Sequence, residues 1–194
     1  MIAYKGFTKD LRSRMGDNKK ETCNFVIGET KTVPESKTAR SGFHCCENPF
    51  ECLRYYPLGE GNRYFLVEAA GDINEDEVER IACTKITLKK ELTLKEFAGH
   101  GMTYIILHPN RRKWQQIGVN LRVAEDEAEG TEEGMIAIAR GKRPLVRGKA
   151  GSICGLILEP WEGQIAAAKL FVAGEDGRAD TWYTLNAERE LVET

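Results

Sequence analysis

Glycines stand at positions 134, 141, 148 and 155, seven residues apart, and the runs between them are short and apolar. Met135-Ile-Ala-Ile-Ala139 and Leu145-Val-Arg147 leave room only for brief strands closed by tight turns. That is the rhythm of a degenerate β-solenoid or a compact β-stack, and four glycines fit an ordinary meander as well. The flanks have the same texture. Thr103–Leu107, Val119–Val123, Gln164–Ala173 and Thr181–Leu185 read as strands, and Glu125–Glu133 reads as an acidic loop. Residues 101–194 are therefore expected to form a mainly β lobe.

Residues 1–100 have a mixed pattern. Met1–Phe7 alternates and ends in a Gly6 turn, and Thr22–Ile27 is a second strand candidate. Arg12–Glu21 is polar around Gly-Asp-Asn and reads as a loop. The sharpest signal runs from Ser41 to Pro57. Asn48 before Pro49 predicts a helix cap and first turn, because the amide accepts an orphan N–H and proline has none to orphan. Phe50, Leu53 and the tyrosines recur at helical spacing, and Pro57 stops the helix. Arg63–Gly71 and Cys83–Leu92 alternate as half-buried strands, and Thr93 with Glu96 resembles a capping box. The expected fold class is α+β: a strand and short-helix lobe over 1–100, then the β lobe.

Charge excludes whole classes of partner. Twenty-eight basic and thirty acidic residues leave a net −2 over 194 residues, so no global field gathers nucleic acid or anionic lipid. No apolar run approaches the roughly 20 residues of a membrane helix, and Met1–Lys9 lacks the apolar stretch of a signal peptide. The six cysteines are read as free thiols in a reducing cytoplasm.

Tyr4-Lys-Gly-Phe with Asp10-Leu11, Gly42-Phe-His-x-Cys-x-Asn-Pro, Tyr55-Tyr-Pro57 and Val67-Glu68 with Gly71 follow in that order. Ile136-Ala-Ile-Ala, Gly148-x-Ala-Gly, Asp180-Thr-Trp-Tyr-Thr and Leu191-Val-Glu close the chain. Together they resemble an uncharacterised domain family known from phage, prophage and bacterial genomes. The resemblance is weakest over residues 100–130. It implies a mobile-element context and no established reaction. Relatives often place a cysteine where this chain has Ala39.

The chemical candidates point away from catalysis. Structural zinc favours Cys-x₂₋₄-Cys pairs, which Cys45, Cys46 and Cys52 do not supply, even with His44 and Cys23 nearby. Cys45 and Cys46 on one strand face apart, so no metal site is expected. A cysteine nucleophile needs a base, and His44 beside Cys45 is adjacent in sequence only. His100 and His108 are the other histidines. The order of Tyr4-Lys-Gly-Phe, Gly42-Phe-His and the Asn48 helix is similar to ADP-ribosyltransferase-like folds, with Glu125 and Glu127 as a Glu-x-Glu. That is analogy of fold alone. Arg111-Arg-Lys-Trp114 and Arg140–Lys149 are basic, and Arg111, Arg112 and Trp114 would suit a base or an acidic partner. Trp161, Trp182 and Tyr183 read as packing aromatics.

The expected function is a non-catalytic binding protein of phage or prophage type, without cofactor, engaging a host factor or a small ligand through a surface or a cleft between its lobes. Its candidate binding residues are Tyr4, His44, Tyr55, Arg111, Arg112 and Trp114. An NAD-using transferase and a nucleic-acid-binding module are the alternatives; nucleic acid is not the expected partner.

Overall fold

The computed structural model describes residues 1–13, 24–38, 40–75, 80–111 and 120–194. The chain divides into two compact units, Met1–Thr93 and Leu94–Thr194.

The first unit holds strands β1 (Ile2–Phe7), β2 (Thr30–Thr32), β3 (Phe43–Cys46), β4 (Arg63–Glu75) and β5 (Arg80–Leu92). They pair in the order β2-β5-β3-β1-β4, and β4 also pairs with β5. The pairings therefore return on themselves, and the sheet rolls into a half-barrel. Two irregularities in the β4–β5 register bend the long hairpin. Gly71 sits in the second at φ +78°, where a side chain would meet Thr84 Oγ1 at 2.2 Å. A single pair, Tyr4 with Cys46, joins β1 to β3.

Phenylalanines fill the interior. Phe7 packs against Phe25 and Phe65 with ring centroids 4.9 and 5.4 Å apart, and Phe25 against Phe43 at 5.9 Å. Outside the sheet lies a 3₁₀ helix, Pro49–Arg54, capped as the Asn-Pro pair predicts: Asn48 Oδ1 accepts the Phe50 N–H at 3.0 Å.

The second unit opens with helix α1 (Leu94–Leu107). Strands β6 (Leu121–Gly130), β7 (Ile136–Gly148), β8 (Ile153–Leu158), β9 (Ala167–Val172), β10 (Tyr183–Leu185) and β11 (Leu191–Glu193) follow. Leu121 lies beside Ile136 and Ile136 beside Ile153, so β6, β7 and β8 run parallel. Parallel neighbours require the chain to travel back before each return. The second halves of β6 and β7 supply the travel, after bends at Asp126 (φ 61°) and Gly141 (φ 152°). Beyond the bend both long strands stay paired in parallel, but the register shifts by three residues, from Glu125 opposite Arg140 to Glu127 opposite Leu145, and runs on to Gly130 opposite Gly148.

The expectation of an α+β chain is corrected. Among the described residues strand accounts for 52% and helix for 12%, in two helices only. Among the described residues the first unit's one helix is the two-turn segment expected after Asn48, wound as the 3₁₀ helix Pro49–Arg54. Of the strand expected over Thr22–Ile27, residues 22–23 lie outside the described residues, and 24–27 makes only isolated bridges. The loop expected over 12–21 lies mostly outside them too. The acidic loop of Glu125–Glu133 is largely β6.

Thr103–Leu107 is the end of α1, not a strand. The helix buries Phe97, Ala98, Gly101, Met102 and Ile105, a three- and four-residue spacing that overrides the β-branched run. Thr103 Oγ1 satisfies itself on the Gly99 carbonyl at 2.9 Å.

The seven-residue glycine spacing does not mark one recurring corner. Gly134 is a turn and Gly141 a bend, both at positive φ, while Gly148 and Gly155 lie within strands. Gly155 is needed for close approach: a side chain there would meet Ile138 and the Met102 sulfur at 3.0 Å. No described helix is long and apolar enough to cross a membrane.

Candidate functional site

β1 organises the first unit because its two faces serve different partners. Strand alternation sends Ala3, Lys5 and Phe7 one way and Ile2, Tyr4 and Gly6 the other. Ala3 and Phe7 are in the phenylalanine core, so the pleat carries Lys5 in with them, and it is 6% exposed. Burying an ammonium costs several kcal/mol unless bonds replace water. Lys5 Nζ donates to the His44 carbonyl at 2.6 Å and lies 5.3 and 6.0 Å from the Phe7 and Phe25 ring centroids. Among the described residues no carboxylate is recorded as its ion-pair partner.

The cysteines pair on opposite faces of β3. Cys45 shares a thiol hydrogen bond with Cys83 on the inner side. That bond and burial hold the Cys45 thiol well above its ordinary range, while Cys83 is lowered by accepting it. Cys46 meets Cys52 of the 3₁₀ helix, and the same two causes raise it. All the described cysteines are free thiols. No described group of three or more His, Cys, Asp or Glu residues has the arrangement of a metal site.

On the outer face of β1, Gly6 lies under the Tyr56 ring, and a side chain at position 6 would reach that ring at 2.5 Å. Tyr64 Oη fixes the same segment through the Tyr56 carbonyl at 2.7 Å. Tyr4 is half-buried, and burial followed by the nearby Cys52 raises its phenol. Glu51 is buried and receives Arg54 Nε at 2.5 Å. Tyr55 is 44% exposed, and its hydroxyl lies 3.4 Å from Arg80 Nη1. Cys46 pairs with Arg80 across β3 and β5, so Tyr4, Cys46 and Arg80 share this face with the 3₁₀ helix that ends at Arg54 and its C-cap Tyr55.

The motifs thus meet pairwise: Lys5 with His44, Gly6 with Tyr56, Ala3 with Val67. Residues 1–100 match the family model described as Domain of unknown function (DUF7666). The chain belongs to the DUF7666 family. No curated protein and no solved structure matches it. The DUF7666 match spans the half-barrel and the start of α1, so Tyr4, His44 and Tyr55 fall inside it. Arg111 does not.

Arg111 belongs to the second unit. Its Nη1 donates to Tyr104 Oη at 2.5 Å, and the Tyr104 ring stacks on His108 at 4.2 Å. Arg112 and Trp114 lie outside the described residues. The second basic segment is largely used internally. Arg140 is wholly buried against Glu159, and Lys149 pairs with Asp180 at 2.8 Å. Arg147 Nε approaches Glu129 at 2.9 Å without hydrogen-bond alignment, and its guanidinium lies over Trp182. Glu125 and Glu127 stand exposed on β6, in a different unit from the Gly42-Phe-His strand. Tyr183 packs on Phe171, but Trp161 is 66% exposed and is no core aromatic.

Sequence reasoning missed Lys5 and the Arg140–Glu159 pair. The alternation of β1 could have found the first, since the face that buries Phe7 must bury residue 5. No spacing signals the second.

Proposed function

We propose that this DUF7666 protein is a non-catalytic binding protein of phage or prophage type, acting in the cytoplasm on a host factor through the outer face of its half-barrel. One observation carries the reading. The motif residues use their polar groups and shapes on one another, while Tyr55 is left half exposed between Arg54 and Arg80. A half-barrel can hold a ligand inside when its interior is open, but here four phenylalanine rings occupy it. That favours the surface over an internal small-ligand site. Aromatic and arginine side chains together are the residues that most often anchor protein interfaces. The thiol pairs Cys45–Cys83 and Cys46–Cys52, hydrogen-bonded but not joined as disulfides, suit a reducing compartment. The internal pairing of Arg140, Arg147 and Lys149 supports a protein partner over nucleic acid.

The test replaces Tyr55 with a photo-crosslinking amino acid in cells of the natural host. A discrete adduct from position 55, diminished by Arg80→Glu and missing from a control at Thr32, is the expected result. An adduct from Thr32 alone, or none from either position, would remove this surface from consideration.

A further inference from the structure

We draw no further inference here: the strongest candidate, the Cys46–Cys52 thiol pair between β3 and the 3₁₀ helix as a redox clasp, carries nothing, because both cysteines are buried, Cys46 is held in the protonated form in which thiols are inert, and nothing among the described residues shows how an oxidant would reach them.

Discussion

The Lys5 ammonium meets the His44 carbonyl at 2.6 Å, joining the two strands that carry the Tyr4-Lys-Gly-Phe and Gly42-Phe-His motifs. β1 and β3 share one residue pair in register, so this side-chain bond reinforces the thinnest seam of the half-barrel. Lys5→Met keeps most of the apolar stem but leaves the carbonyl without its donor. It should destabilise the protein by about 1–3 kcal/mol in urea unfolding. Unchanged or increased stability would show that the bond does not hold the seam.

Gly6 and Tyr56 make the matching contact on the other face of β1. Gly6→Ala should cost about 1–3 kcal/mol through overpacking against the ring. In a Tyr56→Ala background the same change should cost clearly less. Equal costs in both backgrounds would mean that the ring is not what requires glycine.

Burial pushes the Cys154 thiol up to about 12. The folded chain therefore keeps a proton that the unfolded chain releases near its ordinary value of 9.0. The resulting contribution is intact below about pH 9 and is lost as pH rises toward about 12. Denaturant unfolding between pH 8 and pH 11 should show falling stability, with a shallower fall in Cys154→Ala. Cys154 of the native protein at pH 8 should react with a thiol reagent only as fast as the protein opens. Immediate stoichiometric labelling of Cys154 would contradict its burial.

Glu159 and Lys149 both take part in ion pairs, but only the first is buried. Glu159→Ala strands the Arg140 charge inside the second unit and should cost about 3–5 kcal/mol. Lys149→Ala removes a pair whose side chains are both more than half exposed and should change stability by less than about 1 kcal/mol. Calorimetry that ranked the two alike would refute this division.

Strands were legible wherever alternation had one buried face, as in β1, β4 and β5, because such a pattern has only one way to hide its apolar side. The Asn48-Pro49 cap was legible for the same local reason. The end of α1 was not. Thr103, Ile105 and Ile106 favour a strand in isolation, and the helical face that buries Phe97, Ala98, Gly101, Met102 and Ile105, with Met102 beside Gly155, outweighs that preference. The glycine spacing misled because Gly141 and Gly155 answer different needs, a bend and a close approach. Of the candidate site, Tyr4 and Tyr55 were picked from their motifs, and the structure sets them on one face through the 3₁₀ helix. His44 contributes its carbonyl to Lys5, a backbone role no side-chain identity announces.

The central claim is that the DUF7666 motifs build the half-barrel while its outer face binds. The direct measurement compares three variants in affinity for the crosslinked partner and in melting temperature. Tyr55→Ala and Arg80→Glu should lose tenfold or more in affinity, as loss of an interface anchor does, at unchanged melting temperature. Lys5→Met should lower the melting temperature and leave the affinity of the folded protein intact. The reverse pattern, with Lys5→Met folded but unable to bind and the two surface variants binding normally, would contradict the account.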